Sequence, residues 1–283
     1  MPIVDPNQAF QGRILIVAPH MDDEALACGG LIARLSQKER IHIVYATDGM
    51  QSPKPVLPMR FTDSFDLAQF RMQEAIAAMG FLGIAPSNIR FLGLPDGELA
   101  HHKQALTSLL KEEIKHVNPE NILVPFRYDR HPDHIALNHV ATNLYQHCKL
   151  KFTLIEYFVY YRWRLLPGGD VRRYVPPSSI IQVDITSVSE RKRAALDFFK
   201  SQTTKYFAWQ TRPNLTTQIL DEVSLTPELF LRYDQNIPGA AVLTRYTSWI
   251  RIAHQLESFL KTRKDQIVAL LKGEFLKNGT RLE

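Results

Sequence analysis

The chain reads as an α/β protein built on a mostly parallel, Rossmann-like sheet with helices on both faces, extended at its C-terminus by helix. Three observations carry this reading. Four short apolar runs, 13–18, 41–47, 89–93 and 121–125, alternate with four helical patterns, 23–37, 63–80, 102–117 and 133–147. The runs Ile14–Ala18 and Ile122–Val124 are continuously apolar, as in strands buried on both faces. Polar residues crowd the carboxyl end of each of these two runs, where open α/β sheets place their ligands.

The first cluster is Pro19-His20-Met21-Asp22-Asp23-Glu24, between strand and helix. His20 and Asp23 are three residues apart, so one turn of chain can aim both at a single ion. An acid pair in this place also serves as a helix N-cap, with Asp22 or Asp23 meeting free N–H groups. The second cluster, His131-Pro132-Asp133-His134, stands in the same position after its strand. Zinc accepts imidazole nitrogen and carboxylate oxygen, and catalytic sites hold three protein ligands with one position open. His20, Asp23 and one histidine of the second cluster would make that set. Crossovers of one hand would bring all these strand ends to one edge and both clusters into one crevice.

PHMDDE followed by HPDH resembles the zinc-dependent N-acetylglucosaminyl deacetylases, the PIG-L or LmbE-like family. The family usually has Pro or Ala where this chain has Met21. Arg71-Met-Gln-Glu74 with Ala78-Met-Gly80, FLGLPDGEL at 91–99 and Lys200-Ser201-Gln202 are similar to further family segments. The resemblance is good from about residue 13 to 145, thin to about 235 and absent beyond. It implies His20, Asp23 and His134 as metal ligands and Asp22 as general base. It also implies His131 as an imidazolium stabilising the oxyanion, with His131 or Asp22 protonating the departing amine. Asp133 would orient an imidazole from behind, and Arg71 and Asp96 would contact the sugar. Zinc is the implied cofactor; iron(II) suits a His₂Asp donor set as well. The implied reaction removes the acetyl group from an N-acetylglucosamine conjugate or oligosaccharide. Alternatives are hydrolysis of another N-acyl amide, or a sugar-binding protein without turnover.

Several of these residues have plainer readings. Asp48 and Asp96 are turn formers in Thr47-Asp48-Gly49 and Pro95-Asp96-Gly97, and Arg71 suits a solvated or salt-bridged surface. Gly29 and Gly30 within the first helix suggest close packing against the sheet. No G-x-G-x-x-G follows the first strand, which speaks against a dinucleotide cofactor.

At 283 residues the chain suffices for one large core, read as a deacetylase-like domain over 1–238 and a helical extension over 239–283 after Pro238-Gly239. The start has no basic and then apolar leader pattern, no apolar run reaches transmembrane length, and two cysteines make no disulfide framework. A reducing, cytoplasmic setting is expected. A net charge of +5 with dispersed basic residues mildly favours anionic partners, but no nucleic-acid motif appears. The proline-rich 50–62 stretch suggests a lid, and YYRWRLLPGGDVRRY a hairpin at the crevice rim. Residues 187–200 read as helix. Residues 243–277 form a basic amphipathic helix, for which its own domain, a second subunit or a membrane surface are candidate neighbours.

Overall fold

A computed structural model describes residues 3–53, 66–129, 131–147, 151–159, 175–207, 210, 212–225 and 227–237. Beyond these it describes 241–245, 248–249, 252, 256, 260 and 263. Most of the expected lid, the rim hairpin and most of the C-terminal helix lie outside the described residues.

After the short α1 (Pro6–Ala9), the chain alternates as expected: β1 (Ile14–Ala18), α2 (Asp23–Arg34), β2 (Ile41–Thr47), α3 (Leu67–Phe81), β3 (Ile89–Leu94), α4 (Lys103–Val117), β4 (Asn121–Pro125), α5 (Pro132–His147) and β5 (Thr153–Tyr157). β6 (Ile180–Val183), α6 (Ser189–Leu196), α7 (Lys200–Thr203), α8 (Thr217–Leu225) and β7 (Glu228–Arg232) follow. The predicted helix over 187–200 is thus split into α6 and α7. The short run Glu228–Arg232, unassigned from sequence, is a strand.

The seven strands lie in the order β3-β2-β1-β4-β5-β7-β6. The five strands from β3 to β5 are parallel, and β7 runs antiparallel to both β5 and β6. From β1 the chain winds outward through β2 and β3, then returns to β4 and winds the other way. The adjacent pair β1 and β4 is therefore the point where winding reverses, and loops leaving their carboxyl ends splay apart into a crevice.

Side-chain alternation explains the layers. Ile14, Ile16 and Ala18 of β1 face a core shared with α2, α3, α6 and α8. Leu15 and Val17 face the opposite core, under α4 and α5. With both faces covered, all five residues of β1 and of β4 are buried. A third apolar cluster joins Phe126, Phe158, Leu229, Leu231, Ile237 and Leu243 beyond the ends of β4 and β5.

Gly29 and Gly30 meet different neighbours from those expected. A Cβ on Gly30 would stand 2.3 Å from Ile185 Cγ2, and one on Gly29 would stand 3.2 Å from Lys192 Cγ. The close approach is to the segment leading into α6 and to α6 itself, more than to the sheet. There Lys192, fully buried, pairs with Glu228 of β7 at 2.7 Å and donates to the Leu26 carbonyl. Glu228 accepts from the N–H groups of Gly30 and Leu31. The ion pair ties the middle of α2 to the antiparallel edge of the sheet.

Candidate metal centre and active site

The loop after β1 is held before any ligand is considered. Thr47 at the end of β2 donates its N–H and hydroxyl to the Pro19 carbonyl, at 3.0 and 2.8 Å. His20 follows, with its backbone N–H on Asp23 Oδ2 at 3.1 Å. Asp22 sits at the N-cap position of α2 with φ 140° and ψ −26°, a strained conformation for a residue with a Cβ. Its N–H donates to Glu24 Oε2 at 3.1 Å and its carbonyl accepts from Leu26 N at 2.9 Å, which fixes the backbone on both sides. The Asp22 side chain makes no capping hydrogen bond. Capping therefore does not account for this acid pair.

Asp23 Oδ2 is the meeting point of the two clusters. It lies 3.2 Å from His20 Nδ1 and 3.2 Å from His134 Nε2. A tetrahedral ion with bonds of about 2.0–2.1 Å separates its donor atoms by roughly 3.3 Å, and each of these two spacings is of that size. His131 closes the group: its ring centroid is 4.6 Å from that of His20 and 5.1 Å from that of His134. His20, His131 and His134 each offer a nitrogen within 4.8 Å of the others.

Carboxylates hold the imidazoles from behind. His20 Nε2 lies 3.0 Å from Asp96 Oδ1 and 3.1 Å from Asp133 Oδ2. Asp133 in turn accepts from Gly97 N and Leu99 N, and Asp96 from Gln51 N. His134 Nδ1 lies 3.4 Å from Asp129 Oδ2, and Asp129 Oδ1 accepts from His131 N. Carboxylates in such positions fix the ring and tautomer of metal-binding histidines. His20, Asp96 and Asp133 also form a buried group with metal-ligand spacing. Both carboxylates there already accept backbone N–H groups, so orienting His20 accounts for them.

Two expected substrate contacts are placed differently. Arg71 is fully buried, donating to the carbonyls of Gly49, Ser52 and Met21, with Nη2 3.8 Å from Asp22 Oδ1. It braces the loops around Asp22 from below and does not face a sugar. Its neighbour Glu74 accepts from the N–H and hydroxyl of Ser201, which joins the two family-like segments. Asp96 is also buried, turned onto His20 instead of a substrate. Asp48, read as a turn residue, accepts from Met50 N and also from Asp96 N. Asp129 was not singled out from the sequence. Its only signal is an acid two residues before His131, which becomes meaningful once α5 aims His134 back at it.

The electrostatics follow from this packing. Burial and the nearby Asp23 charge raise the Asp22 carboxyl to about 7, although the Arg71 guanidinium opposes the shift. Burial would also raise Asp23, but the His134 charge and hydrogen bonds from both histidines hold it far below the usual range. Burial opposes charging of His134, yet Asp23 and Asp129 lift it to about 9. His20 is likewise raised, as bonds to Asp133, Asp23 and Asp96 outweigh burial. Burial and the charges on His20 and His134 push His131 down to about 3. Its Nδ1 accepts from Asp133 N at 3.3 Å, so the proton of this neutral ring sits on Nε2.

Residues 15–145 match the family model described as PIG-L, GlcNAc-PI de-N-acetylase. This stretch, somewhat under half of the chain, is similar to that family. It contains every residue of the centre described above. The chain is 34% identical over 128 residues to the probable N-acetyl-alpha-D-glucosaminyl L-malate deacetylase 2 of Bacillus subtilis, covering 44% of this chain and 56% of that protein. It thus spans little more than half the length of this curated relative. Among solved structures, teicoplanin deacetylase Orf2 in its zinc-inhibited form superposes with a TM-score of 0.60 at 16% identity, covering 79% of this chain and all of that one. N,N'-diacetylchitobiose deacetylase from Pyrococcus horikoshii superposes with a TM-score of 0.54 at 20% identity, covering 85% and 88%. At these identities the structural likeness concerns the fold.

Proposed function

We propose that the chain is a metal-dependent amide hydrolase that removes the acetyl group from an N-acetylglucosamine-containing conjugate or oligosaccharide, releasing acetate and a free amine. The observation that carries this reading is the single Asp23 oxygen between the two imidazoles, with Asp22, chemically uncommitted, beside it. His20 Nδ1, Asp23 Oδ2 and His134 Nε2 would hold the ion, zinc or alternatively iron(II). When bound, such an ion polarises an amide carbonyl and lowers the pKa of water.

The residues of the chain supply the rest. Asp22, with its carboxyl brought to about 7, takes a proton from the attacking water. Its split from Asp23 is physical: Asp23 stays ionised in contact with two imidazoles, while the nearest cation in ion-pair range of Asp22 is Arg71, at 3.8 Å. His131 donates Nε2–H to the oxyanion as a neutral imidazole. The family resemblance implies an imidazolium in this place; in the metal-free site, burial and the charges on His20 and His134 favour the neutral ring. Asp22, then protonated, returns its proton to the departing amine. The acetamido-sugar class rests on the similarity to the PIG-L family and on the deacetylase names of the relatives.

No helix among the described residues is long and apolar enough to cross a membrane, and Cys28 is a buried free thiol. We propose a reducing, cytoplasmic setting, which the free buried thiol of Cys28 suits.

The test measures metal content and acetate release together, over a panel of N-acetylglucosamine conjugates. About one ion per chain, with acetate released, is expected. His20→Ala should lose both, and Asp22→Ala should lose turnover while keeping the ion. Failure to take up zinc would overturn the metal centre. A metal-loaded chain that binds acetamido sugars but releases no acetate would favour a sugar-binding role.

A further inference from the structure

Charge in this sequence is not evenly distributed. Residues 239–283 contain eight Lys and Arg against four Asp and Glu, leaving 26 against 25 in the preceding 238 residues. Nearly all of the net +5 therefore resides in the C-terminal stretch.

Exposed apolar surface is concentrated in the same place. Ten large hydrophobic residues are exposed among the described ones, and five of them, Val242, Trp249, Ile252, Leu256 and Leu260, fall within nineteen positions. Exposure runs from 51% at Ile252 to 73% at Trp249. Of the five elsewhere, Phe81 stacks on Phe198 and Tyr145 on Phe152, so no second run of this kind is formed. All five C-terminal residues are helical. Projected from the sequence at 100° per residue, they share an arc of roughly 80° with Arg245 and Arg263, which flank Trp249–Leu260 at either end.

This stripe has the period of a single helix, not of a coiled-coil seam. A heptad register starting at Trp249 would place Arg263 and Gln266 at core positions. Leu243, next to Val242, is buried and belongs with Phe126 and Leu231 to the third apolar cluster. Phe126 directly follows β4, so Leu243 itself is buried near the sheet end from which the second histidine cluster rises.

We infer that the face carrying Trp249, Ile252, Leu256 and Leu260 docks on an anionic lipid bilayer, lying in its interface. The apolar line enters the acyl boundary, and the basic residues of the stretch, Arg245 among them, reach the headgroups. The excess positive charge of this stretch supplies attraction to anionic lipid, and Trp249 is a residue type that favours the interface.

The test uses the full chain with phosphatidylcholine vesicles, with and without phosphatidylglycerol. Co-sedimentation should be about tenfold stronger with the anionic lipid and weaken as salt is raised. The variant Trp249→Ser/Ile252→Ser/Leu256→Ser/Leu260→Ser should lose binding by about tenfold or more with unchanged thermal unfolding, as the altered side chains are exposed. Arg245→Gln should reduce the lipid-charge preference. As a measurement independent of the serine variant, fluorescence on vesicle addition should shift to the blue, and Trp249→Phe should abolish the shift. Equal binding to neutral vesicles, no binding to either, or full binding by the serine variant would overturn the inference. So would a wild-type dimer in sedimentation that the serine variant converts to monomer, which would assign the face to a second copy.

Discussion

The parallel and antiparallel parts of the sheet do different work. In the parallel part, β1 and β4 end in polar loops whose side chains converge on Asp23 Oδ2. In the antiparallel part, β7 carries Glu228, a fully buried acid whose partners are Lys192 and backbone groups of α2. Both parts bury charge. In the first, carboxylates and imidazoles are gathered in a geometry that an ion can join. In the second, one ammonium and one carboxylate satisfy each other and the helix. The lesson is that buried charge marks chemistry only where its partners leave room for another.

The comparison can be broken first at the reacting end. Asp22→Ala should reduce acetate release by about 10²–10⁴-fold, the usual contribution of a general base, with zinc content unchanged in elemental analysis. A variant retaining more than a tenth of wild-type turnover would remove Asp22 from the mechanism.

Lys192→Met probes the other part. It leaves Glu228 buried without its counter-ion, and a loss of about 3–5 kcal/mol in denaturant unfolding is expected. The paired change Lys192→Met/Glu228→Gln should recover part of that loss. A single variant as stable as the wild type would show that the ion pair is not what ties α2 to β7.

Gly30→Ala would push a methyl group into Ile185 and should cost about 1–3 kcal/mol, read as a lower Tm. Gly80→Ala, where a Cβ meets nothing within 4 Å, should not lower the Tm.

The smallest effect is a pH dependence of the metal-free site. His134 is raised from 6.5 to about 9, so its stabilising proton is fully present below pH 6.5 and lost as pH rises through about 9. The metal-free protein should therefore lose stability across that interval. Zinc needs bare nitrogen, so its binding near neutral pH should release protons, and affinity should rise towards pH 9. Calorimetry in buffers of different ionisation enthalpy measures the number released. Release of no proton would contradict a charged His134 in the free site.

Much of the fold was legible because the signals are local. Strand and helix spans in the first 147 residues agree with the sequence patterns to within a few residues, since continuous apolar runs and period-3.6 stripes report burial directly. The run Glu228–Arg232 escaped notice: charged residues bound its three apolar positions, and its pairing with β5 and β6 joins segments distant in the chain. Of the carboxylates behind the imidazoles, the family resemblance pointed to Asp133 but not to Asp96 or Asp129 in that role. Asp96 and Asp129 look like turn residues along the chain, and Arg71 looks like a surface arginine.

The sequence by itself determined the α/β class, the positions of the main elements and the two polar clusters at strand ends. It also carried the family resemblance that the match of residues 15–145 to the PIG-L model supports. Tertiary structure decided the rest: that β1 and β4 are neighbours, that Asp133 and Asp96 turn onto His20, that Asp129 stands behind His134, and that Arg71 lies under Asp22. The physical reason is range. Periodicity and motif spacing record what a residue does within one turn or one strand. Which carboxylate a histidine ring meets depends on residues a hundred positions away, brought together by the order in which strands pair.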